Sequence, residues 1–116
     1  MSKSLQELKE ELRVFIADRD WEKFHSPKNL TMALAGEAGE LLEQFQWLTE
    51  EESYHLAADK KVSVGEEIAD ILIYLVRLAD ELEIDLLSEA FGKIEKNAVK
   101  YPVEKVRGKA TKYTDL

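Results

Sequence analysis

Glu37 and Glu40 stand one helical turn apart among small and apolar neighbours, in "LTMALAGEAGELLEQFQW" (residues 30–47). Glu67 and Asp70 repeat the arrangement inside "EEIADILIYLVRLAD" (residues 66–80). The acid-x-x-acid spacing alone says little in a chain with 24 acids among 116 residues, and Glu7/Glu10, Glu40/Glu43 and Asp80/Glu83 also satisfy it. Setting separates the cases. Glu7 and Glu10 lie among Lys3, Lys9 and Glu11, an ordinary solvated face. The other two pairs are embedded in apolar sequence, where an unpaired carboxylate is costly. Residues i and i+3 are neighbours on a helix surface, so two such pairs on facing helices form a cage of four carboxylates. All-oxygen ligands suit hard cations, Mg²⁺ first and Mn²⁺ or Ca²⁺ next. Gly36 and Gly39 flank Glu37. Each costs about 1 kcal/mol against alanine in a helix interior, which a close approach by a neighbouring helix or ligand would explain.

A different metal chemistry is also spelled out. Glu22/His25 and Glu52/His55 match the Glu-x-x-His spacing of di-iron bundles. His25 precedes a Ser-Pro helix start, however, and His55 lies in the polar connector "EEESYHLAADKK", so neither belongs mid-helix in a bundle core. The net charge is −8, without the basic footprint of a nucleic-acid binder. An anionic ligand therefore needs a cation as mediator. There is no cysteine, hence no disulfide framework or thiolate metal site. The opening residues do not resemble a signal peptide, and no apolar run is long enough to cross a bilayer. A single soluble, cytoplasmic domain over residues 1–116 is expected.

The elements that must position these acids are helical. Only two prolines and five glycines interrupt the sequence, and apolar residues recur at helical spacing almost throughout. The first helix is predicted over 4–18, with Leu5, Leu8, Leu12, Phe15 and Ile16 as its stripe. "DRDWEKFHSP" is a break. Ser26 as N-cap with Pro27 behind it opens a second helix running to about Trp47. Thr49 and Glu52 suit a capping box for a short polar segment. Ser63 and Glu66 suit another, opening a third helix that continues to about Leu82. Asp85 caps a fourth, ending near Tyr101 before Pro102; residues 103–116 read as an extended tail. In the third helix Ile68, Ile71, Leu72, Leu75, Leu78, Ala79 and Leu82 read as the core stripe, with Ala69, Ile73 and Val76 apolar on another face. A helix apolar nearly all round is buried on more than one side, and in so short a chain the second side is expected to meet another subunit. Glu67, Asp70 and Tyr74 form a line that interrupts the apolar surface.

Glu37-x-x-Glu40, a spacer over residues 41–66, and Glu67-x-x-Asp70 together resemble the metal-binding signature of the all-α nucleoside triphosphate pyrophosphohydrolases, the MazG-like superfamily. "RDWEKFHSPKNL", "GEAGELLEQFQW", "DILIYLVRLA", "KYPVEKVRG" and "KYTDL" resemble its dCTP pyrophosphatase branch, in order and from about residue 5 to the terminus. Members of that branch can carry a histidine in the first helix that approaches the substrate. Here that position is Leu12, which puts the base preference in question.

The resemblance implies an all-α, four-helix-bundle-like core completed by oligomerisation, as dimers paired into tetramers. It implies Mg²⁺-dependent hydrolysis of a deoxynucleoside triphosphate, dCTP favoured, to the monophosphate and pyrophosphate. Glu37, Glu40, Glu67 and Asp70 would hold the metal, with Glu37 also orienting and deprotonating the attacking water. Trp21, Phe24, His25 and Trp47 are candidates for the base pocket, and Tyr74 would lie under the deoxyribose. On the fourth helix Lys93, Asn97 and Tyr101 share one stripe beside the core residues Ala90, Phe91 and Ile94, and would meet the phosphates. Arg107, Lys109 and Lys112 of the tail are further candidates to close over them. The alternative is a non-catalytic helical interaction module whose acids bind structural cations. The tryptophan-rich blocks and Asn97 argue against it, since such a module needs no base pocket.

Overall fold

A computed structural model describes residues 3–116. Among them there is no strand: the order is α1 (Leu5–Asp18), a 3₁₀ turn (Glu22–Phe24), α2 (Pro27–Phe45), α3 (Glu50–Ser53), α4 (Ala58–Glu81), α5 (Leu86–Lys100), α6 (Val103–Val106) and a second 3₁₀ turn (Tyr113–Asp115). The all-α class expected from the periodicity is the class observed. The chain forms two compact units, one through Glu83 and one from Ile84 to Leu116.

The local stops and starts follow from side chains that satisfy helix ends. The Ser4 hydroxyl accepts from the Glu7 N–H, Ser26 from Asn29, and Asp85 from Ser88. Thr49 and Glu52 make the reciprocal capping box expected for α3. Past α1 the chain reverses through Asp20, whose φ of 53° is left-handed. Aspartate tolerates that region better than most residues, and the reversal lets the Trp21 N–H donate back to the Ile16 carbonyl.

In the first unit α4 is central, with α2 and α1 packed against it. Leu12 and Ile16 of α1, Leu30 of α2, and Val64, Val76 and Ala79 of α4 are buried. Two expectations about α4 are corrected. It begins at Ala58, a turn and more before Ser63, with no side-chain cap at Ala57. "ADKK" contains good helix formers with an acid in the first turn, and buried Val64 ties the early turns to the core. The capping-box spelling at Ser63 and Glu66 therefore lies inside a continuous helix. The core stripe was also misassigned. Ala79 is buried, and Ile71 and Leu78 are half-buried, but Ile68, Leu72, Leu75 and Leu82 are exposed. Val76 from the other apolar face turns inward instead, together with Arg77.

In the second unit, α5 carries no buried residue, and Phe91 and Ile94 are exposed where core positions were expected. The segment after Pro102 is not the extended tail expected. Pro102 stands as N-cap at φ −60°, and its fixed ring geometry leads into the short helix α6. Tyr113 in the closing turn packs edge-on against Tyr101, with ring centroids 6.0 Å apart.

Candidate active site

The acid pairs meet where α2 and α4 pack. One carboxylate oxygen each from Glu37, Glu67 and Asp70 lies within 4.8 Å of the others. Glu40, one turn beyond Glu37, is more exposed, yet its carboxyl also interacts with that of Glu37. The cluster is electrostatically unhappy on its own. The Glu37 carboxyl is pushed above the usual range, first by its hydrogen-bonding contact with Glu67, then by burial, with the charges of Asp70 and Glu67 adding to both. The Glu40 carboxyl is raised first by its contact with Glu37 and then by Glu37's charge. Among the described residues no Lys, Arg or His forms an ion pair with any of the four.

One oxygen of Glu37 and one of Glu67 are buried and have no hydrogen-bond partner. Buried oxygens of this kind are rare in proteins and ask for a reason. Converging, unpartnered carboxylate oxygens with no neighbouring base are the donor set of a hard divalent cation, and the residues fit one. The glycines beside Glu37 do not owe their presence to crowding within the chain: a Cβ at Gly36 or Gly39 would meet nothing within 4 Å.

Beside the acids lies a cavity of about 400 Å³. Leu12, Phe15, Trp21 and His25 line it from α1 and the following turn, and Asp70, Ile73, Tyr74 and Arg77 line it from α4. Its aromatic wall is held in place. Phe15 and Trp21 meet edge to face at 5.9 Å, and the Arg19 guanidinium sits 3.6 Å over the Phe15 ring. His25 is positioned by the 3₁₀ turn, through its N–H to the Glu22 carbonyl, and by Asn29, whose side chain donates to the Phe24 carbonyl.

The candidate residues therefore divide. Glu37, Glu67 and Asp70 converge, with Glu40 at the edge, and Trp21, His25 and Tyr74 share the adjoining cavity. Phe24 is exposed and does not line it. Trp47 is 85% exposed and does not line it either. Its side chain stands beyond the end of α2, where no element among the described residues covers it. Lys93 and Asn97 are exposed on α5 and Tyr101 is half-buried, all in the second unit.

Phe15 and Arg77 are among the lining residues not singled out from the sequence. Phe15 was read as part of the core stripe of α1. Arg77 is only 4% exposed, and its signal was a lone arginine inside "LVRLA". Its guanidinium donates to Asp80 at 3.2 Å, to Glu81 at 2.6 Å and to Nδ1 of His25 at 3.3 Å. Asp80 also receives a bidentate pair from Arg13 of α1, at 2.8 and 2.6 Å.

The MazG-like family profile matches residues 32–116. A dCTP pyrophosphatase 1 from Bos taurus is 49% identical over 104 residues, which are 88% of this chain and 62% of that protein. The Homo sapiens dCTP pyrophosphatase 1 is 43% identical over 104 residues, 61% of its length. The chain thus spans about three-fifths of the curated relatives it matches. A solved pyrophosphatase from Archaeoglobus fulgidus superposes with a TM-score of 0.81 at 43% identity, covering 88% of this chain and 95% of that one. Profile and relatives each cover most of the chain, and the chain belongs to the MazG-like family.

Proposed function

We propose that the protein hydrolyses deoxynucleoside triphosphates, dCTP foremost, to the monophosphate and pyrophosphate with Mg²⁺ as cofactor. The observation that carries this reading is the position of Asp70, which belongs to the carboxylate cluster and to the wall of the apolar cavity at once. A ligand bound there has a cation-held anionic end and an apolar, ring-accepting end. A nucleotide has that shape. The dCTP pyrophosphatase relatives and the solved pyrophosphatase point the same way.

Glu37, Glu40, Glu67 and Asp70 would hold the metal, which when bound would supply charge neutralisation at the triphosphate and a more acidic water. Glu37 would orient the attacking water and take its proton, a role that its place in the cluster beside Glu67 and Asp70 supports. Trp21 and His25 receive the base and Tyr74 the sugar. Phe24 and Trp47 remain candidates for the base only where further structure brings them to the cavity. Lys93, Asn97 and Tyr101 of α5 are assigned to the phosphates by family resemblance, and the exposed apolar surfaces of α4 and α5 support assembly into a tetramer built from two dimers. No described helix is long and apolar enough to cross a membrane.

The test is pyrophosphate release from a panel of dNTPs with Mg²⁺ or Mn²⁺. Glu40→Gln and Asp70→Asn are expected to abolish release without loss of helix content. Glu67→Gln removes a like charge from a crowded cluster, so it should stabilise the metal-free protein by about 0.5–2 kcal/mol while removing the thermal stabilisation by Mg²⁺ that is expected of the unmodified chain. Full turnover in excess chelator would end the metal reading.

A further inference from the structure

Arg77 is the most buried charged side chain of the first unit, and ion pairing explains only part of its placement. Two of its three nitrogens serve Asp80 and Glu81, but Nε points to an imidazole. A guanidinium has donors only. A donor facing Nδ1 of His25 requires a lone pair there, so the neutral ring must carry its proton on Nε2. Burial, and then the Arg77 charge, hold His25 below its ordinary value against an opposing pull from Glu81, which keeps the ring neutral. Nε2 has no hydrogen-bond partner among the described residues, and His25 lines the cavity beside Asp70 and Tyr74.

We propose that Arg77 is a positioning residue that locks His25 as the Nε2–H tautomer, so that the imidazole offers the cavity a single donor that reads an acceptor atom on the pyrimidine ring of the substrate. The inference rests on the cavity being the nucleoside site, as proposed above. It assigns the base reading to a hydrogen bond set up from α4, in addition to the aromatic wall. The acceptor is a ring carbonyl oxygen or an unprotonated ring nitrogen; an exocyclic amine in the same place would confront donor with donor.

Two measurements test it without requiring turnover. Imidazole ¹⁵N shifts report which nitrogen carries the proton. The chain has 2 histidines, so His55→Gln assigns the spectrum. The unmodified protein should show His25 protonated at Nε2, and Arg77→Lys should give a mixture of tautomers. Lysine keeps the buried charge for Asp80 and Glu81 but cannot serve three acceptors in a fixed fork. A His25 ring protonated at Nδ1 in the unmodified protein would overturn the proposal.

The second measurement is calorimetric binding of the non-hydrolysable α,β-imido analogue of dCTP with Mg²⁺. Arg77→Lys and His25→Leu should each weaken it by about tenfold, and the double variant by little more than either alone. His25→Gln, which keeps an amide donor, should stay within about threefold of the unmodified protein. That arm decides the matter if Arg77→Lys does not fold. Additive losses in the double variant, or equal losses for His25→Gln and His25→Leu, sink the proposal, as does an unmodified protein that does not bind the analogue. Tight binding that depends on His25, in a protein that releases no pyrophosphate, would instead remove the proposed hydrolysis and leave this inference standing.

Discussion

Tyr74 follows Asp70 by one helical turn and lines the same cavity, so a triphosphate held at the acids would carry its sugar past this ring. A ribose 2′-hydroxyl there would lose water without gaining a partner, a cost of about 1–3 kcal/mol or roughly ten- to a hundredfold in rate. Cleavage of dCTP should therefore run well ahead of CTP, and Tyr74→Ala should narrow the gap more than it lowers dCTP turnover. Paired kcat/KM measurements on the two nucleotides check this, and equal values in the unmodified protein would remove Tyr74 from the role while leaving the metal chemistry intact. Single residues were legible in the sequence where they broke a pattern. Acids in an apolar run have no other local purpose, so Glu37, Glu67 and Asp70 could be named before their distances were known. Arg77 broke the same pattern but was overlooked, because a lone cation suggests a salt bridge more readily than a grip on an imidazole fifty-two positions away. Phe24 and Trp47 were grouped with Trp21 and His25 by residue type, and type carries no information about direction.

Helix ends and helix faces behaved differently. Caps are written in a few adjacent residues, and those at Ser26, Thr49 and Asp85 formed as expected. The apparent cap at Ser63 failed because favourable residues upstream extended α4 past it. The face of α4 that turns inward is set by partners on other elements. Arg13 of α1 reaches Asp80, and Asp80 and Glu81 hold Arg77, which orients this end of the helix. The Asp80 carboxyl is held below its ordinary value, first by its hydrogen bond from Arg13, against the cost of burial, and then by the charges of Arg13 and Arg77. A carboxylate depressed in the folded state stabilises above its unfolded pKa, near 3.9, and loses that contribution as pH falls through the lower folded value. Asp80→Asn should thus cost about 1–3 kcal/mol at pH 7, and the gap between variant and parent should narrow in denaturant titrations as pH falls below the unfolded value near 3.9. A difference that does not shrink on acidification would show that packing, and not the ion pairs, accounts for the loss.

A chain of this size that leaves Ile68 54% and Phe91 66% exposed has apolar surface in want of cover. Sedimentation at micromolar concentration should show a tetramer or at least a dimer, and Ile68→Glu with Leu72→Glu should shift the protein towards monomer with helix content retained. A stable monomer of the unmodified chain would contradict the assembly reading. The sequence by itself determined that the protein is helical, where most helices begin, and that four acids are its chemical feature, because capping, periodicity and charge in apolar runs are local properties spanning a turn or two. Only the tertiary structure decided which apolar face of α4 is covered, that the acids adjoin a cavity walled by Phe15, Trp21 and His25, and that Arg77 sets the imidazole. Those outcomes depend on contacts between residues far apart in the chain, and a helix apolar on two faces satisfies its own periodicity whichever face turns inward.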